Sequence, residues 1–102
     1  MQTVRMLLAD CPARLAFDIV SNTWNAVVIW ALKDGPRRHT ELREQIGGVS
    51  AKVLTETLRR LEEYGLVTRG YELTALGRTM LVPIEAMGQW AYKHGEQVAV
   101  VR

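Results

Sequence analysis

Residues 36–69, PRRHTELREQIGGVSAKVLTETLRRLEEYGLVTR, decide the fold. Thr40 is a residue that caps helices, and Glu41 behind it suits the positive end of the helix dipole. Leu42 and Ile46, one helical turn apart, give this short helix an inward side. Gly47-Gly48-Val49 supplies a tight turn, and Ser50 caps a longer helix. In that helix Leu54, Leu58 and Leu61 recur at helical spacing and face the core, while Lys52, Glu56 and Arg59 lie roughly opposite, with Arg60 further round. Gly65 ends it. A short helix, a tight turn, a longer amphipathic helix and then a strand form the layout of a helix-turn-helix followed by a wing. That layout offers a helix to the DNA major groove.

Outward from this unit the pattern stays mostly helical. Pro12 to Val20 carries Leu15, Ala16, Ile19 and Val20 on one side, with proline where a first helical turn tolerates it. After Ser21-Asn22-Thr23, the run WNAVVIWAL places Trp24, Val27, Val28 and Leu32 at helical spacing, until Asp34-Gly35-Pro36 terminates it. Leu66 to Thr74 alternates enough for two short strands around a two-residue turn at Arg69-Gly70. Thr74 then caps a final helix striped by Leu76, Met80, Ile84, Met87 and Ala91, with Pro83 bending or breaking it nearby. The expected fold is mainly α with a small β-hairpin wing, a single winged helix-turn-helix domain over residues 1–102. It divides into N-terminal helices at about 10–35, the helix-turn-helix at 36–65, the wing at 66–74 and a C-terminal helix at 75–98.

Composition bounds the rest. A chain of 102 residues, 48% hydrophobic and 24% charged, has the balance of a folded globular domain, small enough to gain from a partner subunit. Its formal net charge is only +2, so any claim on nucleic acid rests on where the charges sit. Between Arg37 and Arg60, six basic residues face three acidic ones, a local +3 that exceeds the charge of the whole chain. Arg37, Arg38, His39, Thr40 and Arg43 at the first helix, and Ser50, Ala51, Lys52, Thr55, Arg59 and Arg60 on the second, suit phosphates flanking a groove and base edges within it. Arg69 at the strand turn reaches a phosphate or the minor groove. The bland reading of such a run is a solvated helix face; the turn spacing and the following hairpin favour DNA.

Other chemistries find little support. One cysteine excludes an internal disulfide and suits a reducing, cytoplasmic setting. No apolar run approaches the roughly 20 residues of a membrane span, and MQTVRMLLADCP is too short and too early-charged for a signal peptide. His39 and His94 are far apart in sequence and no metal-ligand spacing exists, so neither metal nor other cofactor is expected. Nor is there a phosphate loop, a nucleophile elbow or a carboxylate pair with an evident base; the expectation is that the protein is not an enzyme. Cys11, just before Pro12 and one turn ahead of Arg14, sits where helix N–H groups and a nearby cation favour a thiolate. It is either a redox sensor, open to a small electrophile, oxidant or thiol, or a small apolar residue at a helix start. The tryptophans Trp24, Trp30 and Trp90 read as core or subunit-interface residues.

Taken together, CPARLAFDIVSNTW, LKDGPRRHTELREQIGGVSAKVLTETLRRLEEYGLVTR and YELTALGR resemble the HxlR-type winged helix-turn-helix regulators of the MarR-like superfamily, over roughly residues 11–91. The resemblance implies a bacterial, cytoplasmic transcription regulator that acts as a homodimer on a near-palindromic operator. Its first and last helices would pack across the two-fold axis, and Leu7, Leu8, Trp24, Met80, Ile84, Met87, Trp90 and Ala91 are the interface residues this assigns. Ser50, Lys52 and Thr55 correspond to the recognition helix, and Arg37, Arg38 and His39 to the approach to the helix before it. Several members with a cysteine at the position of Cys11 are similar to sensors of quinones, aldehydes or oxidants, while others use no thiol chemistry, so the resemblance permits such sensing without requiring it. The chain departs from the family at Thr57, where an arginine is common, and in a shorter wing. A protein-interaction module built on the same fold is the competing reading.

Overall fold

In a computed structural model, which describes residues 12–98, six helices follow one another. They are α1 (Ala13–Ser21), α2 (Thr23–Ala31), α3 (His39–Ile46), α4 (Ala51–Glu63), α5 (Ala75–Arg78) and α6 (Leu81–His94), with a 3-10 turn at Gly95–Gln97. The central element is α2, whose Val28 and Ile29 are fully buried and which packs against α1, α3, α4 and α6. An apolar helix with no polar stripe has to be surrounded, and this one is. A single residue separates α1 from α2: Asn22 leaves the helical region and its Oδ1 accepts the Trp24 N–H at 3.1 Å.

The helix-turn-helix forms with one shift of boundary. The cap of α3 is Arg38 rather than Thr40, because the Glu41 side chain reaches back and accepts the Arg38 N–H at 2.7 Å, which starts the helix two residues early. Gly47 and Gly48 both take positive φ, 70° and 68°, and reverse the chain where a side chain would be strained. Ser50 caps α4 as expected, its Oγ accepting the Val53 N–H at 3.1 Å. Leu54, Leu58 and Leu61 are buried, and so is Thr57, whose hydroxyl donates to the Val53 carbonyl at 2.8 Å. After α4, Gly65 turns out at φ 79° while the Leu66 N–H returns to the Leu61 carbonyl at 3.0 Å.

The segment after α4 departs from the expected pair of strands. Among the described residues it contains one antiparallel bridge, Val67 with Leu73, flanked by hydrogen bonds from Thr68 N–H to Glu72 O at 2.7 Å and from Thr74 N–H to Leu66 O at 3.0 Å. Pairing stops there because both ends are committed elsewhere. Leu66 is still leaving α4, and the Thr74 Oγ1 accepts the Gly77 N–H at 2.9 Å to cap α5. The expected two-residue turn is a three-residue one, Arg69-Gly70-Tyr71. Tyr71 N–H closes onto Thr68 O at 3.0 Å, and Tyr71 itself takes φ 61°. A turn followed by one left-handed residue fits the twist of a short hairpin, which a plain two-residue Arg-Gly turn does not.

The expected final helix is two helices. In an unbroken one the Pro83 ring would meet the Thr79 carbonyl. The chain breaks at Thr79-Met80 instead, placing Pro83 in the first turn of α6, where its missing N–H costs nothing. The apolar stripe is split accordingly. Ile84 is in the core and Met80 lies against it, while Leu76, Met87 and Trp90 face outward. In the same way Ile19 of α1 is buried and Leu15 and Phe17 are exposed.

Candidate nucleic-acid interface

Three pieces of backbone meet at one end of the molecule: the approach to α3, the first half of α4 and the hairpin turn. His39, the first residue of α3, joins them. Its Nε2 lies 3.0 Å from the Thr55 Oγ1 on α4, and its ring is 6.5 Å from the Tyr71 ring at the hairpin. A shallow cleft runs between Arg37, Arg38 and Glu41 on one side and Arg69 on the other. The sequence places His39 and Thr55 in one candidate DNA-contacting group without relating them; the fold brings them into contact. It did not single out Tyr71, and the only signal was its place directly after Gly70.

Along α4 the side chains of Ser50, Ala51, Lys52, Thr55 and Arg59 are exposed, as are Arg38, Thr40 and Arg43 on or beside α3, whereas Arg37 is half-buried. Thr40 and Arg43 border a second hollow at the Gly48-Val49 turn, away from His39. Arg69 is almost fully solvated, and its Nε stands 3.9 Å from a Glu62 carboxylate oxygen, a contact of little energetic weight at that exposure. The surface therefore carries several uncommitted cations together with short polar groups on α4, a donor set that matches phosphate and base edges.

Arg60 departs from the expectation for it. Its guanidinium turns inward, with Nε and Nη2 donating to the Asn25 Oδ1 at 3.2 and 3.1 Å and Nη2 also to the Thr57 Oγ1 at 3.4 Å. Asn25 is fully buried, and its Nδ2 donates to the Ile19 carbonyl at 2.8 Å. Arg60 thus ties α4 to α2 and to the end of α1 and does not stand on the outer face. The reason is the position of Arg60 beside the Leu61 stripe, where its long stem can lie along the core edge. Asn25 was the available signal, as the one amide within an apolar run.

The residues expected at a subunit interface fall into two groups. Trp24, Met80 and Ile84 pack on or into the protomer's own core, which accounts for their burial without a partner. Met87, Trp90 and Ala91 are exposed on α6. Leu7, Leu8 and Cys11 lie outside the described residues. Among the described residues no cluster of His, Cys, Asp or Glu could hold a metal ion, and no helix is long and apolar enough to cross a membrane.

The architecture is that of a helix-turn-helix protein. Residues 19–99 match the HxlR-like helix-turn-helix family, and the chain belongs to it. It is 32% identical to the helix-turn-helix transcriptional regulator YtfH of Escherichia coli K12, over 91% of this chain and 82% of that protein. It is 34% identical to the regulator YodB of Bacillus subtilis, over 79% of this chain and 82% of YodB. The crystal structure of quinone-bound YodB superposes with a TM-score of 0.75 at 36% identity, covering 81% of this chain and 99% of that one. The redox regulator HypR in its reduced form gives a TM-score of 0.76 at 27% identity, covering 81% and 92%. This chain is accordingly a transcriptional regulator of the HxlR type.

Proposed function

We propose that the protein binds DNA sequence-specifically as a homodimer, each protomer placing α4 in a major groove of a near-palindromic operator. The observation that carries this reading is the row of exposed Lys52, Thr55 and Arg59 on one side of α4, opposite the buried leucines, beside exposed Arg38. Ser50, Ala51, Lys52 and Thr55 meet base edges. Arg37, Arg38, Thr40 and Arg43 hold phosphates on one side and Arg69, at the tip of a short wing, on the other. One module of local charge +3 binds weakly; two, on half-sites about one DNA turn or roughly 34 Å apart, reinforce each other. Support for the dimer comes from the apolar side chains left on α1 and α6, with Phe17 56%, Trp90 57% and Val82 75% exposed. Residues 75–98 supply much of the dimer contact.

Occupancy is controlled through Cys11, in the cytoplasm, by a small electrophile, oxidant or thiol. The support is chemical and comparative: the thiol precedes a proline ahead of a helix, and related structures are a quinone-bound YodB and a redox regulator. Fluorescence anisotropy against a promoter pool at two salt concentrations tests the first claim. Salt-dependent binding to a subset of sequences is expected; a protein-interaction module would bind none. Operator affinity of the wild type and Cys11→Ser, with and without a quinone, tests the second, and equal responses would end it.

A further inference from the structure

We propose that His39 determines base specificity by setting the hydrogen-bonding sense of the Thr55 hydroxyl, so that protonation of the imidazole retunes which base α4 prefers. The inference rests on the reading of α4 as the DNA-reading helix. Its own ground is the 3.0 Å contact between His39 Nε2 and Thr55 Oγ1, made across the helix-turn-helix by residues sixteen apart, with Thr55 exposed and His39 half-buried.

The hydroxyl of threonine has one proton and two lone pairs, and a neutral imidazole has one N–H and one bare nitrogen. When Nε2 is bare it accepts the Thr55 proton, and Thr55 shows the solvent side lone pairs alone. When Nε2 carries hydrogen it donates to Oγ1, and the Thr55 proton is free to be donated outward. A doubly protonated imidazolium permits only the second arrangement. Starting from the Nδ1–H tautomer, in which Nε2 is bare, acid therefore adds a donor at this point of α4. In the major groove acceptors belong to G (N7, O6), T (O4) and A (N7), while amino donors belong to A and C. A base whose major-groove edge presents acceptors alone, G or T, gains when Thr55 becomes a donor, and the amino group of A or C at that point does not.

Charged and titratable groups from several elements surround the imidazole. The approach to α3 contributes Arg37 and Arg38, α3 contributes Glu41, and the hairpin contributes Arg69 and Tyr71. On α4, Lys52 and Arg59 stand one turn to either side of Thr55. Histidine is the residue type here whose charge ordinarily changes between about pH 5 and 8.

The test is selection of duplexes from a randomised pool by the full-length wild type, His39→Phe and Thr55→Val, at about pH 5.5 and about pH 8, the range that brackets histidine chemistry. The expected result is one position in each half-site where acid raises the wild type's preference for G or T over A or C by roughly fivefold, the worth of one hydrogen bond. Both variants lose the pH response at this position. An unchanged wild-type preference, or a shift that survives in Thr55→Val, overturns the proposal while leaving the DNA reading intact. Absence of any enriched sequence at either pH overturns the DNA reading, and the proposal with it. Nitrogen NMR of the free protein gives a readout without DNA: Thr55→Val should change the tautomer balance of the His39 ring, and an unchanged balance counts against the contact.

Discussion

Gly77 lies against the backbone of Leu66 so closely that a Cβ built on it would sit inside the contact distance of the Leu66 carbonyl oxygen. The neighbour is backbone, held by the Thr74 N–H that donates to the same oxygen at 3.0 Å, so it cannot swing away as a side chain would. This approach docks α5 onto the junction between α4 and the hairpin. Gly77→Ala should destabilise the fold by about 1–3 kcal/mol, the usual cost of forcing extra atoms into a packed site. The thermal midpoint measures it, and a midpoint equal to that of the wild type would contradict the packing.

A second stability prediction concerns the tie between α4 and the N-terminal helices. Asn25→Leu removes the acceptor of Arg60, in a part-buried setting, and the donor to the Ile19 carbonyl, in a buried one. Each group left without a partner costs about 1–3 kcal/mol. Arg60→Met removes the other side of the same pair. The double variant should therefore lose less than the sum of the two singles in urea unfolding, since each single already breaks the shared bond. Strict additivity would show that the contact carries no energy.

Arg59 and Arg60 are adjacent in sequence but should behave differently on DNA. Arg59 is exposed on α4, and its replacement by alanine should lower the slope of log affinity against log salt by about one unit for the lost phosphate contact. Lys52→Ala should do the same. Arg60→Met should leave the slope as it is, because its guanidinium is spent on Asn25 and Thr57. Anisotropy titrations across a salt series separate the two, and a lowered slope for Arg60→Met would return it to the DNA face.

That contrast shows how far the sequence could be read. The helices, the glycine turn and the caps at Ser50 and Thr74 were legible because they are local, each fixed by a few neighbouring residues. What was not legible depended on chain segments far apart. Arg60 looked like an outer-face cation because its partner Asn25 lies 35 residues away, on another helix. His39 and Thr55 stood in one group without their contact, since periodicity places residues on faces and not against each other. The extent of strand pairing after α4 depended on how much chain the capping of α4 and α5 left over, which alternation of residue types does not report. The break before α6 was readable in kind, from Pro83, but not in place.

The exposed side of α6 yields the last prediction. Trp90 is 57% exposed, Met87 is 44% exposed and Val82 still more so. Trp90 also lies 5.6 Å, ring to ring, from His94, so its position is defined even without a partner. If the dimer forms over this surface, Trp90→Glu places a charge where burial is needed and should cost at least about 2 kcal/mol of association, as for a central aromatic at an interface. Sedimentation velocity should then show monomer at concentrations where the wild type is dimeric. Operator affinity should fall steeply while the salt slope per bound protomer stays near its wild-type value, because the residues of α3 and α4 proposed to contact DNA are untouched. A variant that remains dimeric would move the two-fold axis away from α6.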